Sequence, residues 1–243
     1  MIEFRNLVKR FGTRTVLNGL SLKIHEGEII FILGTSGTGK SVLLKNLVGL
    51  MTPDEGEIWI DGEEVSKFSE EQYLPIRKKC GMVFQHPALF DSLTVYENVA
   101  FGLRRHYQLD EETIREKVTK ALKLVHLTGI EQKKPAQISY GMQKRVSLAR
   151  TVALEPKILL FDEPTTGLDP VTTTAVNQLI YDLSRELKTT SMVVSHDMNC
   201  ALSIADRIVV LDKGQIVALG TPEELKRSEH PLVKDFLAEV LSA

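Results

Sequence analysis

The chain has 243 residues, 43% hydrophobic and 26% charged, the balance of a globular protein long enough to bury a core without disulfide or metal staples. Its 30 basic and 32 acidic side chains leave a formal charge of −2, without the overall basic bias of a general nucleic-acid binder. No apolar run reaches the ~18–20 residues of a membrane span, and Met1-Ile2-Glu3-Phe4-Arg5 is not the start of a secretory signal. Cys80 and Cys200 have neither a disulfide framework nor a metal-ligand spacing, which points to a reduced compartment.

Ile2-Glu3-Phe4, Leu20 to Ile24 and Glu57 to Ile60 alternate polar with apolar, the pattern of half-exposed antiparallel strands. Ile29 to Leu33 is an unbroken apolar run that stops at Gly34 and reads as a buried strand. Ile158 to Phe161, Met192 to Val194 and Ile208 to Leu211 repeat that pattern with helix-length segments between them. Together they predict an α/β fold on a mostly parallel sheet covered on both faces. Between about 90 and 140 the chain turns helical and charged. Asp110 opens a helix with Ile114, Val118, Ala121, Leu122 and Val125 on one face, and the rest of its charge run reads as a solvated face. No repeat or linker divides the chain.

Gly34-Thr35-Ser36-Gly37-Thr38-Gly39-Lys40-Ser41 has the spacing G-x-x-x-x-G-K-[ST], between a strand and the helix Val42 to Leu47. That context turns a pattern into a phosphate site. Glycines let backbone N–H groups turn inward around phosphate oxygens, and the helix N-terminus adds partial positive charge. Lys40 is expected on the β and γ phosphates and Ser41 on Mg²⁺. Downstream, the strand Leu159-Leu160-Phe161 ends in Asp162-Glu163. Asp162 is placed to organise the metal. Glu163 points elsewhere because strand side chains alternate, and can polarise the attacking water.

Further features narrow the class. Gln85 follows Met82-Val83-Phe84. Ser139-Tyr140-Gly141-Met142-Gln143 precedes an apolar-periodic helix. Asp169 follows Gly167-Leu168, His196 follows Met192-Val193-Val194, and Phe11 stands upstream among small and basic residues. In this order the motifs resemble the ATP-binding subunit of ABC transporters over essentially the whole chain. Gly34 to Ser41 looks like Walker A, Ile158 to Glu163 like Walker B, Gln85 like the Q-loop glutamine, Asp169 like the D-loop aspartate and His196 like the switch histidine. Phe11 matches the A-loop aromatic that stacks on adenine. The resemblance implies one ABC ATPase domain over 1–243, with a P-loop NTPase core. Its β subdomain and RecA-like core take about 1–85 and 155–243, and a helical subdomain about 86–154.

The signature loop departs from the usual Leu-Ser-Gly-Gly-Gln. Ser139 and Gly141 remain as the γ-phosphate contacts that the resemblance implies. Tyr140 stands where a glycine is usual and costs backbone freedom. Met142 lacks the donors of glutamine, and Gln143 compensates only if the loop is shifted. Serine, glycine and methionine followed by Lys144-Arg145-Val146 resemble the Mla-type ATPases, which work with MCE-domain proteins on phospholipid or other lipid.

The resemblance implies ATP and Mg²⁺ as cofactors. Ser41, Gln85 and Asp162 are the metal residues, and Lys40, Gln85, Glu163 and His196 the catalytic ones. Nucleotide is bound by Phe11 and residues Gly34 to Ser41, and in trans by Ser139, Gly141, Gln143 and Asp169. One P-loop and one signature per chain require a second copy to complete two sites head to tail. A separate multi-span permease, an MCE-type protein and a place on the cytoplasmic face of the inner membrane complete the expectation, with no nucleic acid. The same motor residues fit an importer of a small polar solute, and a soluble ABC protein of translation or DNA repair is the third class. Leu89, Phe90, Leu93, Val95 and Tyr96 either line the groove for the permease or form internal core. Trp59 is expected in the core. His25, His106, His126 and His230 are expected as surface or packing residues, and Pro231 to Leu241 as an amphipathic stretch packed on its own domain.

Overall fold

The computed structural model describes residues 2–241. In chain order, the first elements are β1 (Ile2–Phe11), β2 (Arg14–Ile24), β3 (Ile29–Leu33), α1 (Lys40–Leu47), β4 (Glu55–Ile60), β5 (Glu63–Glu64), α2 (Glu70–Lys79) and β6 (Cys80–Val83). The helical stretch supplies α3 (Val95–His106), α4 (Glu111–Leu124) and α5 (Tyr140–Val152). Then follow β7 (Ile158–Asp162), α6 (Pro170–Glu186), β8 (Thr190–Ser195), α7 (Met198–Ile204), β9 (Arg207–Asp212), β10 (Gln215–Gly220), α8 (Pro222–Lys226) and α9 (Pro231–Leu241).

Two sheets carry the fold. One is antiparallel with strand order β2-β1-β4-β5. The other has order β10-β9-β3-β8-β7-β6 and is parallel except for β10, which runs antiparallel to β9. The unbroken apolar runs are explained by burial on both faces. Ile30 and Ile32 of β3 join Leu160, Val194 and Val209 in a core under the antiparallel sheet and α1. Ile29, Phe31 and Leu33 join Phe161, Val193 and Val210 in a second core under the helices. β10 sits at an edge, and its apolar run Ile216 to Leu219 is only half-buried or exposed.

The helices start where short polar side chains can cap them. Thr94, Asp110, Ser139 and Asp169 each accept a hydrogen bond from the backbone N–H three residues on, at α3, α4, α5 and α6. α4 buries Ile114, Val118, Ala121 and Leu122 against α3 and α5. α9 packs on α7 through the side of its own domain, with Val233 and Phe236 buried.

One expectation is corrected and one open alternative is decided. Trp59 is not core: Ile58 and Ile60 take the buried face of β4, and the half-buried Trp59 ring on the other face lies under the Arg5 guanidinium at 4.6 Å. Val95 cannot line a groove, because it is fully buried in the first turn of α3. Phe90 is 44% exposed and packs on the equally exposed Phe101 at 4.8 Å between ring centroids.

Candidate nucleotide site

β3 delivers the chain to a loop over residues 34–39, and α1 leaves from it. Gly39 has φ 104, and a Cβ there would lie 2.8 Å from the Val16 carbonyl oxygen, so strand β2 holds the loop from below. The loop, β2 and the ends of β7 and β8 bound a cleft of about 770 Å³. Thr35, Ser36, Gly37, Gly39, Lys40, Ser41, Gln85, Glu163 and His196 line it, as do Arg14, Val16, Thr166 and Phe236.

Lys40 is 7% exposed, and its ammonium donates to the Gly34 and Thr35 carbonyls at 2.6 and 3.1 Å. Burial lowers its pKa, and the nearby Glu163 and Asp162 carboxylates oppose that effect. Glu163 Oε1 lies 3.8 Å from the ammonium. The other Glu163 oxygen meets His196 Nδ1 at 2.8 Å and accepts from the Thr166 hydroxyl at 3.3 Å. The Ser41 hydroxyl donates to Asp162 Oδ1 at 2.7 Å. A cationic floor thus faces two carboxylates, an arrangement suited to a polyanion with a cation beside it.

The donor set suits one cation in particular. Ser41 and Asp162 bring two hard oxygens together, and the Gln85 amide lines the same cleft. Mg²⁺ is usually held this way, by one or two protein oxygens with waters and substrate phosphates completing the octahedron. Among the described residues no group of three or more His, Cys, Asp or Glu side chains could hold a metal ion.

The remaining expected residues lie outside that cleft. Phe11 ends β1, is 46% exposed, and pairs across a hairpin with Arg14. Lys9 lies 5.7 Å from its ring centroid, and Arg14 ties the hairpin to the loop by donating to the Gly37 carbonyl at 3.0 Å. Ser139 caps α5, and Asp169 caps α6 by accepting from the Thr172 N–H and hydroxyl. Gly141 faces α6: a Cβ there would lie 2.9 Å from the Thr172 methyl. The Gln143 amide donates to the Pro135 carbonyl at 3.0 Å and, more loosely, the Ile138 carbonyl at 3.4 Å, bracing the signature loop from behind. Ser139, Gly141 and Asp169 sit on two neighbouring helix starts.

A family model described as ABC transporter matches residues 17–166, which include the loop, Gln85, the signature and both carboxylates. The chain belongs to the ABC transporter ATP-binding family. It is 43% identical over 236 residues to the probable ribonucleotide transport ATP-binding protein mkl of Mycobacterium leprae, covering 97% of this chain and 68% of that one. The intermembrane phospholipid transport system ATP-binding protein MlaF of Haemophilus influenzae is 40% identical over 98% of this chain and 90% of its own length. The sulfate/thiosulfate import ATP-binding protein CysA of Bradyrhizobium diazoefficiens is 43% identical over 93% of this chain and 65% of its own. The dimeric post-hydrolysis structure of the ATP-binding cassette MJ0796 with ADP and Pi superposes with a TM-score of 0.83 at 35% identity, over 91% of this chain and 99% of that one. The fold is that of an ABC cassette, and the chain is an ATP-hydrolysing transporter motor that resembles the Mla-type ATPases.

Arg14, Val16, Thr166 and Phe236 escaped the sequence reading. Only Arg14 left a signal there, a cation just past the small turn Gly12-Thr13 and two residues from Val16. Thr166, Phe236 and Val16 enter through tertiary packing alone.

Proposed function

We propose that this chain powers a transporter of phospholipid or related lipid. The observation that carries the reading is the Ser139-Tyr140-Gly141-Met142 signature, in a chain that matches MlaF over nine tenths of that protein's length. The partners are a second copy of the chain, a separate multi-span permease and an MCE-type protein. Among the described residues no helix is long and apolar enough to cross a membrane. We place the motor at the cytoplasmic face of the inner membrane through its permease, as one ABC domain with α3 to α5 as the helical subdomain. The exposed Phe90 and Phe101 rings, with Leu89, Leu93 and Tyr96 beside them, form the surface for that permease.

ATP enters with its phosphates on the N–H groups of residues 34–39 and its adenine toward Phe11. Lys40 exchanges its carbonyl contacts for β and γ oxygens, a charge-assisted substitution. Ser41, Asp162 and Gln85 would hold Mg²⁺, and the ion would supply positive charge beside the β and γ phosphates. Ser139, Gly141 and Asp169 of the second copy complete the site while Gln143 braces the loop from behind, so ATP favours the closed pair by as much as it prefers it. Glu163 then accepts a proton from the attacking water. The water oxygen bonds to the γ-phosphorus as the bond to the β–γ bridging oxygen breaks, and the electron pair leaves with ADP. His196 holds Glu163 in line through Nδ1. Loss of the γ-phosphate bridge lets the pair open.

The test is isolation of the chain from its native membranes in mild detergent, with mass spectrometry of proteins and lipids. A permease, an MCE-type protein and enriched phospholipid are expected. A permease with a soluble solute-binding protein and no enriched lipid would support the second reading, a small polar solute importer, which the likeness to CysA favours.

A further inference from the structure

Glu163 reaches its partners from an unusual backbone. Its φ is 51, in the left-handed region, and it directly precedes Pro164, which narrows its choices again. A non-glycine residue keeps such a conformation only where its surroundings over-determine it. On one side the restraint is plain: the Glu163 N–H donates to the Val194 carbonyl of β8 at 2.9 Å. On the other side it comes from a different part of the molecule. Lys144, in the second turn of α5, donates its ammonium to the Pro164 carbonyl at 2.8 Å.

Lys144 is an odd choice for that place. It is 6% exposed and has no ion-pair partner within reach among the described residues. Its nearest π system is the Tyr140 ring at 5.5 Å. Burial pushes its pKa down to about 8, and the Glu163 carboxylate is the group opposing that. A methionine of similar length would fill the same space without a buried charge. What the ammonium adds is a grip on the turn that follows Glu163, and a positive charge behind its carboxylate.

We propose that Lys144 is a positioning residue for Glu163: from the signature helix it pins the Pro164 carbonyl, and so holds the left-handed turn that aims the Glu163 carboxylate at Lys40 and His196. The same helix begins at Ser139. Lys144 therefore joins the loop offered to the other copy's nucleotide to the carboxylate serving the chain's own. The inference rests on Glu163 acting as the base in the function proposed above.

Two measurements test it. In Lys144→Met, hydrogen exchange of the backbone over 161–168 is expected to quicken at least fivefold in the nucleotide-free chain, while α1 and β3 stay unchanged. In the full chain with its co-isolated membrane partners, kcat is expected to fall ten- to a hundredfold with ATP affinity within twofold. Lys144→Gln, which restores a donor without the charge, is expected to recover part of both. If Lys144→Met does not fold, Lys144→Leu is read in its place. A folded apolar variant with unaltered exchange and kcat overturns the inference. Glu163→Gln run in parallel separates the failures. Full turnover there removes the base assignment, whereas the exchange result still decides whether Lys144 holds the turn.

Discussion

The Ser41 hydroxyl donates to Asp162 Oδ1 across 2.7 Å, tying the first turn of α1 to the last residue of β7. The two residues lie 121 positions apart, so the contact is a product of the sheet and not of local sequence. It brings two hard oxygens together where the proposed function sets the phosphate chain and its cation. Replacing Ser41 with Ala should raise the Mg²⁺ concentration for half-maximal hydrolysis about tenfold or more. Chelation of Mg²⁺ should stop turnover in the unaltered chain. A magnesium titration of steady-state ATPase activity checks both, and an unchanged Ser41→Ala curve would remove the serine from the metal site.

Glu163→Gln should keep ATP binding while kcat drops about 10²- to 10⁴-fold, the usual contribution of a positioned general base. If hydrolysis opens the pair, as proposed above, the variant should also stay dimeric in ATP. Size-exclusion chromatography with and without ATP checks the second part. A monomer in both lanes, with membrane partners absent, would show that closure needs the permease.

Phe11→Ala should weaken ATP binding by about 1–2 kcal/mol, roughly 5- to 30-fold, with kcat at saturation little changed. The ring is nearly half exposed and contributes little to the core, so the melting temperature should stay put. Phe11→Tyr should bind as the parent does. Equal affinity in Phe11→Ala, measured by titration calorimetry with a slowly hydrolysed analogue, contradicts the adenine contact.

The Lys144 charge has a cost that pH should reveal. Its folded pKa of about 8 lies below the ordinary lysine value, so between them the unfolded chain binds the extra proton. Stability rises with pH wherever the unfolded state holds more protons. The penalty is thus fully present below about pH 8 and is relieved as pH climbs toward 10.5. Lys144→Met should melt higher than the parent at pH 7, with the gap narrowing by pH 10. Parallel thermal scans from pH 7 to 10 decide it. A constant gap assigns the difference to packing instead.

Glu28 shows the opposite economy. It is 8% exposed and accepts two hydrogen bonds from the Arg207 guanidinium and one from the His25 N–H, joining the entry of β3 to β9. Glu28→Ala should cost about 3 kcal/mol, the low end for a broken buried pair because Arg207 keeps partial access to water. Urea unfolding measures it, and a loss under 1 kcal/mol would make the pair ornamental.

Much of this was written in the chain. The run Ile29 to Leu33 before Gly34, and Ile158 to Phe161 before Asp162, state both a doubly covered strand and the chemistry at its end. Glycine and lysine spacing fixed the phosphate loop because that loop is local. Lys144, Thr166 and Phe236 were silent for the opposite reason. Their parts depend on which helix meets which turn, and nothing at Lys144 distinguishes it from a surface lysine until α5 lies against Pro164. Trp59 misled because a large aromatic in a strand usually seeks the core. Here Ile58 and Ile60 already filled that side, and Arg5 covered the ring instead.

The strand order has a consequence for how the molecule is made. β3, which ends in the phosphate loop, pairs among the described residues only with β8 and β9. On a ribosome moving at ~5–20 residues per second, roughly 150 residues separate it from those partners, a wait of about 8–30 s. For that time Ile29 to Leu33 is an emerged apolar strand without its own sheet to enter, since it is no member of the antiparallel one. A growing chain can thus own every residue of its phosphate loop long before it owns a phosphate site. Slower decoding between β7 and β8 should lengthen its need for a chaperone, and nucleotide can stabilise the product only after β9 has been spoken.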